Sequence, residues 1–123
     1  MNKKIYIHTL GCPKNDADSE AMANVLENDG FELCFEPELA DIILINTCCF
    51  VNDAKEESVE AILSACELKE NNPSLKVAVC GCLAQRYAEE LKEEIPEADY
   101  FIGTGEIANI AKILTSDKPV YLN

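Results

Sequence analysis

Three cysteines, Cys12, Cys48 and Cys82, each stand just past an apolar, β-prone run, and they lie 36 and 34 residues apart. In an open parallel sheet, the loops beyond the carboxyl ends of the strands line one edge, where such folds keep their ligand sites. Thiols distant in sequence can therefore meet there. Three thiolates in one place are soft donors suited to zinc or an iron–sulfur cluster, and their recurrence at strand ends is hard to explain as three unrelated structural thiols. The chain has seven cysteines, an odd number without the short regular spacing of a disulfide framework, so a reducing compartment and metal or redox use are expected.

The other thiols and the single histidine read differently. Cys34, in the second apolar run, and Cys66, on a helical apolar stripe, are expected to be small buried hydrophobes. Cys80 precedes Cys82 by two in a strand, so it shares that face one layer deeper, as core or as a substitute ligand. Cys49 is expected to point away from Cys48. His8, within the first strand, reads as a satisfied core histidine; joined to the thiolates it would complete a Cys₃His zinc site. Lys14, Asn15 and Gln85 flank the candidate ligands, where they either hydrogen-bond cluster sulfur or serve as plain loop residues.

The elements that must position these residues alternate along the chain. Residues 4–10 form a strand that ends at Gly11-Cys12-Pro13, and Asp16 or Asp18 caps a helix over 19–28 that stops at Gly30. Asp18, Ser19 and Glu20 are then helix-start residues. Residues 31–35 form an edge strand closed by Glu36-Pro37, and 41–47 is a continuous apolar run of the kind buried on both faces of a parallel sheet. A long helix opens at Asn52 or Asp53, with residues 55–58 as its solvated first turn and Val59, Ile62, Leu63 and Cys66 on its apolar stripe, and Asn71-Asn72-Pro73 ends it. A buried strand over 76–80, a helix over 84–94, a fifth strand over 99–102 and a last helix over 106–114 complete the order.

Repeated strand–helix units imply right-handed crossovers, hence a three-layer α/β/α fold with a mostly parallel five-stranded sheet. In the flavodoxin/Rossmann-like order 2-1-3-4-5, strands one, three and four are neighbours, and these are the strands that lead into Cys12, Cys48 and Cys82. At about 4.8 Å between strands, their loops span about 10 Å, which a cubane cluster can bridge. Residues 1–123 make one domain, with no linker or low-complexity segment dividing it.

Composition narrows the partners. The net charge is −13, from 23 acidic and 10 basic residues. Much of it lies in helical stretches such as 89–94, as a solvated face. This sign repels a phosphate backbone and attracts cationic protein, so direct nucleic-acid binding is not expected. No apolar run approaches the roughly 20 residues of a membrane span, and residues 1–10 do not form a secretory leader, so a cytoplasmic protein is expected.

Other chemistries fit less well. Cys80 and Arg86 stand as Cys-x5-Arg between strand and helix, the phosphate-cradling pattern of cysteine phosphatases, but the loop lacks a central glycine and no general-acid aspartate is identifiable. A receiver domain would need an aspartate where Asn46-Thr47-Cys48 stands. Gly103-Thr104-Gly105 lacks the third glycine of a dinucleotide site.

Several linked motifs now carry a resemblance. Thr9-Leu10-Gly11-Cys12-Pro13-Lys14-Asn15, Asp18-Ser19-Glu20, Asn46-Thr47-Cys48 with Phe50, Ala54-Lys55-Glu56-Glu57-Ser58, and Gly81-Cys82-Leu83-Ala84-Gln85-Arg86 occur in order from about residue 5 to residue 106. They resemble the amino-terminal domain of the radical-SAM methylthiotransferases. Gly-Cys-Pro-Lys-Asn resembles the branch that modifies an aspartate of a small-subunit ribosomal protein; a tRNA-modifying branch is the alternative. Cys49 departs from that pattern, which has glycine there.

The resemblance implies a [4Fe–4S] cluster on Cys12, Cys48 and Cys82 with one open iron that accepts sulfur for transfer. It further implies that the whole enzyme adds a second [4Fe–4S] cluster and S-adenosylmethionine on a radical domain, with a basic ribosomal protein as substrate. The chain has no Cys-x3-Cys-x2-Cys, so the radical-SAM and later domains are absent from it and the isolated domain is expected to be inactive. An electron-transfer or zinc-binding module is the alternative of a different class.

Overall fold

The run Ile42–Thr47 is buried at all six positions, which a strand achieves only when both faces of its sheet are covered. It is β3 in a computed structural model that describes residues 3–10, 13–47, 52–103, 109–114 and 120–121. The order is β1 (Lys4–Thr9), α1 (Pro13–Asn28), β2 (Glu32–Leu33), a 3₁₀ turn (Pro37–Leu39), β3, α2 (Asn52–Glu67), a second 3₁₀ turn (Leu68–Glu70), β4 (Lys76–Gly81), α3 (Cys82–Glu94), β5 (Tyr100–Ile102), α4 (Ile110–Leu114) and β6 (Val120–Tyr121). All five strand pairings are parallel, in the order β2-β1-β3-β4-β5-β6. The expected order 2-1-3-4-5 is therefore present, and β6 adds a sixth strand that is too short to show a period in sequence.

Strand parity sorts the core into two layers. Ile43, Ile45, Val77, Val79 and Phe101 pack against Ile62, Ala65 and Cys66 of α2 and Ala84 and Leu91 of α3. Ile42, Leu44, Ala78 and Ile102, on the other face, meet Met22 and Leu26 of α1 and Ile110 and Ile113 of α4. Fully burying each such aliphatic or aromatic side chain contributes about 1.5–3 kcal/mol, so a change of register would forfeit most of the core.

Local chemistry shifts several expected boundaries. Helix α1 begins at Pro13, not near Ser19, because proline presets the φ of a first helical position and lacks only an N–H that would be unpaired there. Asp16 and Asp18 are thus inside the helix and are not its caps. The helix does stop at Gly30 (φ 95°), where Phe31 N–H donates to the Leu26 carbonyl at 2.9 Å and Gly30 N–H to that of Glu27 at 3.2 Å, a Schellman pair. The expected second strand contracts to two residues because the chain bends at Phe35 and Pro37 opens a 3₁₀ turn. On α2, Leu63 is 45% exposed and Ala65 takes its place against the sheet. The last helix is described from Ile110, and residues 104–108 of its expected start lie outside the described residues.

Candidate functional site at the carboxyl edge of the sheet

The central strands finish level. Thr9 of β1 is opposite Asn46, and Thr47 of β3 is opposite Gly81 of β4, while Leu10 N–H donates to the Asn46 carbonyl at 3.0 Å. From those ends the chain runs into Cys12, directly before α1; into Cys48, the residue after Thr47; and into Cys82, the first residue of α3. Cys12, Cys48, Cys49 and Phe50 lie outside the described residues, as do the side chains of Cys82, Lys14, Asn15 and Gln85. Three adjacent parallel strands thus end at one edge, and each is followed in sequence by a candidate position.

Cys82 opens α3 two residues before the expected start, because β4 turns into the helix with no intervening loop. Gly81 makes that turn at φ 93° and ψ −167°, a region open essentially only to glycine. A Cβ there would fall against the Thr47 carbonyl oxygen, 2.8 Å from Asn46 Oδ1 and 2.9 Å from Thr47 N. Helices α1, α2 and α3 all begin on this side, and their first-turn N–H groups favour negative charge. A set of thiolates is the kind of charge such an edge stabilises.

A buried polar layer holds the edge in place. Asn46 is 1% exposed, and its Nδ2 donates to Ser19 Oγ at 3.0 Å. Ser19 Oγ also lies 2.7 Å from Thr9 Oγ1, so β1, α1 and β3 are tied at one level. Thr47 Oγ1 donates to the Cys80 carbonyl at 2.6 Å and ties β3 to β4. Ser19 is therefore a brace in the second turn of α1 and not a helix-start residue, and Ser58, expected on a solvated turn, is fully buried. The signal was Asn46-Thr47 in a run buried on both faces, where polar groups must find partners.

The described cysteines are used elsewhere. Cys80 is core: its S–H faces Met22 Sδ at 3.8 Å beneath α1, which removes it as a phosphatase nucleophile. β4 ends at Gly81, so Cys82 is not in the strand as expected but opens α3, and its side chain lies outside what is described. Cys66 is buried against the sheet as expected, and burial pushes its thiol up to about 11. Cys34 is only half-buried, past the end of β2, with its S–H directed at the Glu36 carbonyl at 3.6 Å.

His8 is half-buried, edge-to-face with Tyr6 at 6.4 Å, and it lines a cavity of about 370 Å³ on the α2 face; it is not packed into the core. Among the described residues no three His, Cys, Asp or Glu side chains gather as a metal site, and no described helix is long and apolar enough to cross a membrane.

Residues 4–103 match the family described as "Uncharacterized protein family UPF0004". A ribosomal protein uS12 methylthiotransferase RimO from Bdellovibrio bacteriovorus is 51% identical over 114 residues, covering 93% of this chain and 25% of that relative. The protein of the same name from Clostridioides difficile is 50% identical over 111 residues (90% and 25%), and that from an Anaeromyxobacter species 49% over 112 (91% and 24%). The chain spans about a quarter of the length of these curated relatives.

Proposed function

Since the chain belongs to the UPF0004 family, the amino-terminal domain of methylthiotransferases, we propose that it is the auxiliary-cluster domain of an enzyme that methylthiolates a ribosomal protein, with Cys12, Cys48 and Cys82 as cluster ligands. The observation that carries this reading is that three adjacent parallel strands end in register, each within three residues of a cysteine. Soft thiolate donors at an edge where three helices begin fit a [4Fe–4S] group. When bound by three protein ligands, such a cluster supplies an open iron that accepts exogenous sulfur.

The chain's own residues prepare that site. Gly81 brings Cys82 to the start of α3 without a loop, and the Thr9–Ser19–Asn46 bonds fix the levels of β1 and β3 beneath the other two ligands. Cys80 and Cys66 are held in the core, so neither thiol competes at the edge. Residues 1–123 act as one domain in the cytoplasm. In the whole enzyme, a second [4Fe–4S] cluster and S-adenosylmethionine would be held by a part that this chain does not span. The acidic surface suits a basic ribosomal protein as substrate.

Anaerobic reconstitution with iron and sulfide, followed by iron, sulfide and zinc analysis, tests the ligand set. About four irons and four sulfides per chain are expected, with loss on Cys12→Ala, Cys48→Ala or Cys82→Ala and retention on Cys80→Ala. A full cluster in the first three variants, or stoichiometric zinc in preference to iron, would reject the assignment.

A further inference from the structure

Strand β1 is second in the sheet, yet half of it behaves as an edge. Its pairing with β2 consists of Lys4↔Glu32 and Ile5↔Leu33, extended by Cys34 N–H donating to the Ile5 carbonyl at 2.9 Å. Beyond that point the chain bends at Phe35 into the Pro37–Leu39 turn, and β2 pairs no further with β1. In a parallel strand alternate residues bond to alternate neighbours. Lys4 and Leu10 bond toward β3 while Lys3 and Ile5 bond toward β2, so Ile7 and Thr9 direct their N–H and C=O groups to the outer side. Among the described residues neither has a partner on β2. Tyr6 through Thr9 are accordingly half-buried, whereas β3 beside them is buried throughout.

Both faces of this stretch are hollow. On the α2 side lies the cavity of about 370 Å³, lined by Tyr6, His8, Pro37, Ala61 and Leu68 among others, where the β2–β3 connection supplies a 3₁₀ turn in place of a covering helix. On the α1 side a second cavity, of about 230 Å³, is lined by Ile7, Thr9, Glu20, Ala23 and Phe35 among others, and Phe35 is 89% exposed. An unpaired strand edge with a hollow on each face is what an added strand needs: main-chain bonds supply affinity, and alternate side chains enter alternate hollows. The surrounding charge selects the strand. Glu20, Glu36 and Glu38 are exposed beside this stretch, and at its amino end the exposed Glu32 and Asp41 offset Lys3 and Lys4, in a chain of net charge −13.

We propose that the outer edge of β1 from Ile7 to Thr9, with the hollow on each face, docks an extended basic segment of a partner protein as an additional strand where β2 stops. At Thr9 this surface adjoins the cysteine edge, but the proposal does not depend on a cluster.

The probe is a fluorescein-labelled decapeptide of alternating lysine and valine, titrated with the full chain and read by anisotropy and by amide hydrogen exchange. Saturable binding that weakens with salt is expected, together with at least tenfold slower exchange at Ile7 and Thr9. Alternating glutamate and valine should not bind. A fully N-methylated version of the basic peptide, which keeps its charge but has no N–H donors, should bind more than tenfold more weakly. The surface double substitution Glu20→Lys/Glu36→Lys should weaken binding at least fivefold without moving the urea midpoint. Equal binding of the N-methylated peptide, or binding without protection of Ile7 and Thr9, would reduce the effect to charge adsorption and overturn the proposal. Protection of those amides without peptide would also overturn it, assigning the edge to a second copy if it grew with protein concentration, or to another domain if it appeared only in the full-length enzyme.

Discussion

Replacing Gly81 by alanine separates backbone conformation from close packing at the start of α3, because Gly30 provides an internal control. Both glycines have a positive φ, 93° and 95°. At Gly30 an added Cβ meets nothing within 4 Å, so Gly30→Ala carries only the left-handed conformational cost, about 1 kcal/mol. At Gly81 the conformation itself costs about 1–3 kcal/mol for a non-glycine residue. The methyl would also strike the Thr47 carbonyl oxygen and crowd Asn46 Oδ1 and Thr47 N. These are parts of the β3–β4 ladder and of the polar layer and cannot swing aside as a flexible side chain would. Losing the Thr47–Gly81 pairing and straining the Thr47 bond to the Cys80 carbonyl adds about 1 kcal/mol for each hydrogen bond. The expected total is about 4 kcal/mol. With a urea slope of about 2 kcal/mol/M, Gly81→Ala should lower the unfolding midpoint by about 2 M and Gly30→Ala by about 0.5 M, followed by far-ultraviolet circular dichroism. Equal shifts in the two variants would refute the argument that the β4–α3 junction is sterically closed to any side chain.

Two further outcomes follow from the buried groups. Asn46→Ala should cost about 2 kcal/mol and Ser19→Ala about 1 kcal/mol, and a double-mutant cycle should give a coupling near 1 kcal/mol; full additivity would show that the Asn46–Ser19 bond contributes nothing. For Cys66, burial raises the thiol from 9.0 to about 11 in the folded chain, so both states are protonated below pH 9 and the contribution is complete there. Between pH 9 and 11 the unfolded chain ionises while the folded one does not, and stability falls as pH rises. The urea midpoint of the wild type should therefore drop more between pH 8.5 and 10.5 than that of Cys66→Ala, and parallel curves would reject the assignment.

The sheet was legible in sequence because its middle strands are locally unambiguous. Runs such as Ile42–Thr47 and Lys76–Gly81 admit a doubly covered strand and little else, and their alternation with helices dictates parallel order. What local reading missed depends on partners far along the chain. The role of Ser19 is set by Thr9, ten residues away, and by Asn46, 27 residues away. Read alone, Asp18-Ser19-Glu20 is a plausible helix start, and only the earlier start at Pro13 turns Ser19 inward as a brace. Leu63 fits the apolar stripe of α2 by spacing, but Ile62, Ala65 and Cys66 already fill that face, leaving Leu63 to solvent. The shortness of β2 was hidden for a related reason: residues 31–35 are apolar enough to pair, and the bend that ends the strand is set by Pro37 and by the connection to β3.

Cys80 and Cys82 show how finely position along a strand decides what a thiol can do. Cys80 lies within β4, opposite Asn46, and the pleat turns its sulfur under α1 toward Met22. One residue later Gly81 ends the strand at a conformation closed to other residues, and the next residue begins a helix among unpaired N–H groups. The thiol of Cys80 is thus committed to the core, while two residues on the backbone has already left the strand for the start of α3. The polar layer makes that boundary firm: Thr47 holds the Cys80 carbonyl and Asn46 holds Ser19, so a one-residue slip of β4 would leave buried hydrogen-bonding groups unpaired as well as turning its apolar side chains to the wrong face. The bonds that keep Cys80 inside are for that reason also the bonds that fix where Cys82 emerges.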